Sequence, residues 1–122
     1  MPLILSKITK DTEIVTLLES LSRDINLERV DFLLIQEAIN KVAAYRSQLM
    51  RYSKMSEYAE ATIIIRELFK IRAAKWSKRG LKALDKQISN CVKDTRTSER
   101  RRLFNEVYLR ALKAERQKLE IK

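Results

Sequence analysis

Apolar residues recur at intervals of three and four along most of this chain, the period of helices that bury one face. From about Thr12, the residues Ile14, Leu17, Leu18, Leu21 and Ile25 share a face. Glu13 in the first turn and Arg23 in the last suit the helix dipole, and Glu19 and Arg23 form an i,i+4 pair. A second helix is predicted over Asp31 to Arg51, where Phe32, Ile35, Ile39, Val42 and Leu49 repeat and Tyr45 borders the stripe. The third and longest runs from Glu57 to Arg79, about 35 Å at 1.5 Å per residue. Ser56 is its expected N-cap, and Gly80, the only glycine, its expected terminator. A fourth helix is predicted over Leu81 to Lys93, with Leu81, Leu84, Ile88 and Cys91 or Val92 inward. After a turn at Asp94 to Thr97, capped by Thr97 or Ser98, a fifth covers Glu99 to about Leu119. Its expected inner face is Phe104, Val107, Tyr108, Ala111 and Ala114; the opposite face reads Arg102, Glu106, Leu109, Lys113, Arg116 and Glu120. Ahead of all these, Leu3, Ile4, Leu5 and Ile8 form an extended arm or short turn laid on the core. The expectation is an all-α fold, one domain over residues 1–122, with about five helices around the long central one.

That central helix carries an anomaly. Tyr58, Ala61, Ile65, Leu68, Phe69 and Trp76 follow helical spacing, and Arg72 falls in the middle of the same stripe, with Lys75 and Arg79 beside it. Two readings of Arg72 stand open. Its methylene stem packs at the core edge while the guanidinium reaches water or a carboxylate such as Asp31 or Glu37. Alternatively the stripe continues into a contact with another subunit, whose acidic groups meet Arg72 and Lys75. Ile63, Ile64 and Ile65 in succession widen the apolar arc, and a wide arc asks for more than one neighbour.

Composition narrows the function. One glycine and one proline in 122 residues leave no material for the turns of an all-β fold or for a glycine-rich phosphate loop. The chain has no histidine and a single cysteine, Cys91. Imidazole acid–base chemistry, catalytic triads and zinc sites lack their ligands, and no internal disulfide can form. Cys91 reads as a small buried hydrophobe, and carboxylate pairs such as Glu57 and Glu60 read as partners of the helix dipole. No apolar run nears the roughly 20 residues of a membrane span, and no signal peptide is recognisable, so an intracellular, soluble protein is expected. No enzymatic activity and no cofactor are expected; function should lie in surfaces.

The net charge of +10 is unevenly placed. Residues 1–62 carry 8 Lys/Arg against 9 Asp/Glu, and residues 63–122 carry 18 against 7. A strongly basic half suggests a polyanion or an acidic protein as neighbour.

Five short stretches carry a family resemblance. Asp31-Phe32, the helix end Tyr45-Arg46-Ser47-Gln48-Leu49 and the acidic opening Glu57-Tyr58-Ala59-Glu60-Ala61 resemble the helical domain of a GINS subunit. Leu68-Phe69-Lys70-Ile71-Arg72-Ala73-Ala74-Lys75 is similar to that family's apolar-Phe, then Arg, then Lys three residues later. Thr97-Ser98-Glu99-Arg100-Arg101-Arg102-Leu103-Phe104 resembles the entry to its last helix, with Arg100 where Glu is usual. The likeness covers roughly residues 14–118. Trp76 replaces a smaller aliphatic, and no counterpart of the family's small C-terminal β domain is present before Lys122.

The resemblance implies a non-enzymatic scaffold of the replicative helicase assembly, of the archaeal type whose helical domain comes first. It implies a hetero-oligomer, a tetramer with the other GINS subunit type, docked on the MCM helicase with a RecJ-like or Cdc-type partner, and with primase in some lineages. The compartment would be cytoplasm and nucleoid in an archaeon, or the nucleus in a eukaryote. The expected subunit interface is Tyr58, Ile64, Ile65, Leu68, Arg72, Lys75 and Trp76. Lys78, Arg79, Lys82, Arg100, Arg101 and Arg102 are the candidates for contact with nucleic acid or an acidic partner. The alternative is a free-standing, basic, helical nucleic-acid-binding protein.

Overall fold

A computed structural model describes residues 5–22, 30–93 and 99–121. Within them the chain is all-α, with no strand among the described residues. A single helical turn, α1 (Leu5–Ile8), precedes five longer helices: α2 (Thr12–Glu19), α3 (Phe32–Arg51), α4 (Met55–Ser77), α5 (Leu81–Lys93) and α6 (Glu99–Ile121). Two compact units divide the chain between Leu68 and Phe69, inside α4. In the first, α1, α2 and α3 pack on one another; in the second, α5 packs on α6.

Asp11 caps α2 by accepting from the backbone N–H groups of Glu13 and Ile14 at 3.0 and 3.4 Å, and its own N–H is held by the Thr9 hydroxyl. Ile14, Leu17 and Leu18 are buried from this helix as expected. The α-helix stops at Glu19, short of the predicted end, and tightens into a 3₁₀ turn at Ser20–Ser22. The hydroxyls of Thr16 and Ser20 bond back to the carbonyls of Thr12 and Thr16, which competes with regular helix. Arg23, Ile25 and the Glu19–Arg23 pair lie outside the described residues, as do the turn at Asp94–Thr97 and its caps.

Asp31 caps α3 through the Leu33 N–H at 3.1 Å, and Ile35, Ala38, Ile39, Val42, Ala43 and Leu49 are buried along it. The helix ends in a Schellman arrangement: Lys54 N–H reaches the Leu49 carbonyl at 3.1 Å and Ser53 N–H the Met50 carbonyl at 3.2 Å. That closure puts Ser53 at φ 56°, the left-handed conformation that glycine takes without strain. The next helix then starts at once. The Lys54 carbonyl accepts the Tyr58 N–H, so α4 begins at Met55 and Ser56 lies within its first turn instead of capping it.

α4 is 23 residues long. Ala61, Ile64, Ile65, Leu68, Phe69, Ile71 and Ala73 are buried along it, an arc of roughly 200° at about 100° per residue. It ends two residues before the predicted Arg79, because the last turn tightens to i→i+3 bonds, Arg79 N–H to Trp76 and Gly80 N–H to Ser77. Gly80, at φ 103°, both stops α4 and opens α5, its carbonyl accepting the Leu84 N–H at 3.2 Å.

The inner face of α6 differs from the expected one. Tyr108 and Leu112 are buried, whereas Ala114 is exposed and Val107 and Ala111 are half-buried. The face is rotated toward Leu112 because the four-residue step from Tyr108 to Leu112 buries more apolar surface than the alanine positions do.

The two left-handed residues give opposite outcomes on substitution. Ser53→Gly should raise the unfolding free energy by about 0.5–1 kcal/mol, by removing Cβ strain at the Schellman position. Gly80→Ala should lower it by about 1 kcal/mol through the backbone alone, since nothing lies within 4 Å of the added Cβ. Urea midpoints at unchanged m-value measure both.

Candidate interaction surface

The second unit is organised by Tyr108 of α6. Its ring is buried, 5.5 Å from the ring of Phe69, which also meets Phe104 at 6.0 Å. The guanidinium of Arg72 lies 4.6 Å from the centre of the Tyr108 ring. A cation over an aromatic face is attracted by the ring's quadrupole, more so out of water. The Tyr108 hydroxyl donates to the Gln87 side-chain oxygen at 3.3 Å. Burial pushes the phenol up to about 12, against a smaller opposing pull from the Arg72 charge.

Two more polar links tie α5 to α6. Asn105 donates its side-chain N–H to the Cys91 carbonyl at 2.7 Å, one of the acceptors that the end of α5 leaves without a helical donor. Farther along, the Arg116 Nε donates to Asp85 at 2.5 Å, and its other nitrogen meets Glu120. These pairings, Cys91 with Asn105, Gln87 with Tyr108 and Asp85 with Arg116, descend α5 as they climb α6, so the helices are antiparallel. Cys91 itself is buried.

In the first unit, α3 and the start of α4 are joined in a similar way. Arg46 donates from Nε to the Thr62 hydroxyl at 2.8 Å and lies 4.3 Å over the ring of Tyr58. The Tyr45 hydroxyl donates to Glu57 at 3.2 Å, and burial and that carboxylate raise its pKa.

The expected interface set is split between the two units, three of its residues buried and four half-buried. Ile64, Ile65 and Leu68 are 3, 2 and 0% exposed, so this chain already covers them and they offer nothing to a partner in this conformation. Of the isoleucine triplet, Ile63 is the one that faces out, at 54%. Tyr58 is half-buried under Arg46, and Arg72, Lys75 and Trp76 are half-buried in the second unit. Arg72 does not need a second subunit to explain its place on the apolar stripe, because the Tyr108 ring receives it.

The expected contact cations fare differently. Lys78, Arg79, Lys82 and Arg102 are exposed, with Arg79 lying 5.0 Å from the Trp76 ring centre. The side chains of Arg100 and Arg101 fall outside the described residues. Lys86 and Lys93 of α5 and Arg110 and Lys113 of α6 are exposed as well. The α5 lysines were legible as a face, since steps of four and seven residues return to one side of a helix. The unit boundary preserves the charge division: residues 69–122 carry 17 Lys/Arg against 6 Asp/Glu, and residues 1–68 carry 9 against 10.

Among the described residues, no group of three or more His, Cys, Asp or Glu is placed to hold a metal ion. No described helix is long and apolar enough to cross a membrane. An open groove in the first unit is lined by Lys7, Tyr45, Gln48, Leu49, Tyr52 and Lys54, which include no carboxylate. Comparison with protein-family models, curated proteins and solved structures gives no match.

The buried phenol sets a pH dependence. An unfolded tyrosine ionises near 10, so above that pH the unfolded chain sheds a proton that the folded chain keeps. The Tyr108 contribution is therefore complete below pH 10 and is lost as the pH rises toward 12, by about 2 kcal/mol at most. Denaturant midpoints between pH 9 and 12 should fall more steeply for the native chain than for Tyr108→Phe; equal slopes would contradict it.

Proposed function

We propose that the protein is a non-enzymatic helical scaffold that brings different partners together through two unlike surfaces, in the role that its likeness to GINS subunits implies. In that role it pairs with the other GINS subunit type and links the MCM replicative helicase to a RecJ-like or Cdc-type partner, and to primase in some lineages, during DNA replication. The observation that carries the scaffold reading is the match between charge and structure. One unit is near neutral and exposes Leu33, Met50, Tyr52, Met55 and Ile63; the other holds the basic excess of the chain. Large exposed apolar side chains suit a protein contact, and a basic unit suits an acidic one. The GINS assignment rests on the short motifs at residues 31–32, 45–49, 57–61, 68–75 and 97–104.

A free-standing nucleic-acid-binding protein is the second reading, favoured by the exposed cations Lys78, Arg79, Lys82 and Arg102. It requires affinity for DNA that falls steeply with salt.

Co-expression with a GINS subunit of the other type, followed by native mass measurement, tests the first reading. A defined hetero-oligomer that melts above the isolated chain is expected. Two separate monomers at micromolar concentration would remove it. For the second reading, Arg100→Ser, Arg101→Ser and Arg102→Ser together should weaken DNA binding alike on all sequences. Unchanged binding at low salt would dispose of that idea.

A further inference from the structure

The exposed side of α5 joins two features that nucleic acid does not need together. Leu81 and Val92 are 42 and 66% exposed, and Ile88 between them is half-buried. Spacings of seven and four residues hold these three within roughly 40° of one another, along about 16 Å of helix. Beside that apolar row runs a cationic one, Lys82, Lys86 and Lys93, all exposed and likewise within roughly 40°. The acidic residue between the rows, Asp85, is engaged by Arg116 at 2.5 Å, so its charge is offset.

We infer that this face of α5 is a docking site for an acidic amphipathic helix of a partner protein. Charge complementarity selects an acidic occupant, since the lysine row belongs to a unit with 17 Lys/Arg against 6 Asp/Glu. The apolar row selects protein over nucleic acid. Phosphates are met by cations alone, whereas Leu81 and Val92 stay in water unless an apolar side chain covers them. An amphipathic helix supplies both, with anchors at i, i+4, i+7 and i+11 and carboxylates along one flank. The three turns between Leu81 and Val92 match the usual length of such anchors. This inference rests on the reading that the protein works through protein partners, and not on which assembly it joins.

The test uses the full chain and three probes. They are a synthetic Leu/Glu amphipathic peptide of about 18 residues, five turns of helix, a scrambled peptide of the same composition, and duplex DNA. The amphipathic peptide should bind and the scrambled one should bind at least tenfold more weakly. Leu81→Ser with Val92→Ser should weaken the amphipathic peptide about tenfold and leave any DNA binding unchanged. Lys82→Glu, Lys86→Glu and Lys93→Glu together should abolish peptide binding. Circular dichroism checks that each variant keeps its helix, and Val92→Ser alone serves if the double variant does not. Equal binding of the two peptides, indifference to the serine variants, or DNA binding tighter than the peptide would each overturn the inference. A chain that assembles with a GINS partner but ignores the peptide defeats this site alone. One that binds the peptide but never assembles defeats the GINS reading alone.

Discussion

Tyr108 has to bury an aromatic ring in a small helical unit and still find a partner for its hydroxyl. Phe69 packs against the ring, Arg72 covers its face, and Gln87 takes the hydroxyl proton. Phe69 and Arg72 come from the C-terminal part of α4 and Gln87 from the middle of α5, so one residue of α6 is fixed against both helices. The antiparallel register of α5 and α6 then follows, with Asn105 and Arg116 adding a link on either side. Burying an aromatic side chain is worth several kcal/mol, whereas each exposed ion pair is worth a fraction of one. The ring therefore sets the arrangement, and the surface pairs adjust to it.

This changes what the long helix is for. A guanidinium in an apolar stripe invites the idea of a second subunit, yet the Tyr108 ring supplies a face for it within the same unit. The isoleucines and leucine that would have flanked such a contact are covered as well. What remains available to partners is elsewhere: the lysine row of α5 with Leu81 and Val92 beside it in the basic unit, and the exposed apolar side chains of the near-neutral one. The division of charge along the chain and the division into compact units fall within a few residues of each other. A chain built this way presents two chemistries from two packing units.

Much of the architecture was legible because periodicity is a strong signal over long helices. α5 runs over the residues predicted, and α3 begins one residue after its predicted start. The ends were harder where backbone closure, not side-chain pattern, decides them. A Schellman turn with serine in the left-handed position leaves no glycine to mark it, and α4 starts two residues before the predicted Glu57. Tyr108 was recognisable as an inward residue, but not as the seat of Arg72. Sequence spacing places residues on faces of their own helix and does not say which helix they meet. For the same reason Asn105 and Gln87, polar residues on inner faces, could have been noted as links without their partners being named. The lysine face of α5, Lys82, Lys86 and Lys93, is open to the same periodic reading that locates the core.

The pairing of Arg72 with Tyr108 is the point on which this account turns, and a double-mutant cycle measures it directly. Arg72→Met keeps the stem and removes the charge, Tyr108→Leu removes the ring, and the double variant completes the cycle. A favourable coupling of about 0.5–2 kcal/mol is predicted for a cation held over a largely buried ring. Coupling indistinguishable from zero, with Arg72→Met destabilising equally in both backgrounds, would contradict it.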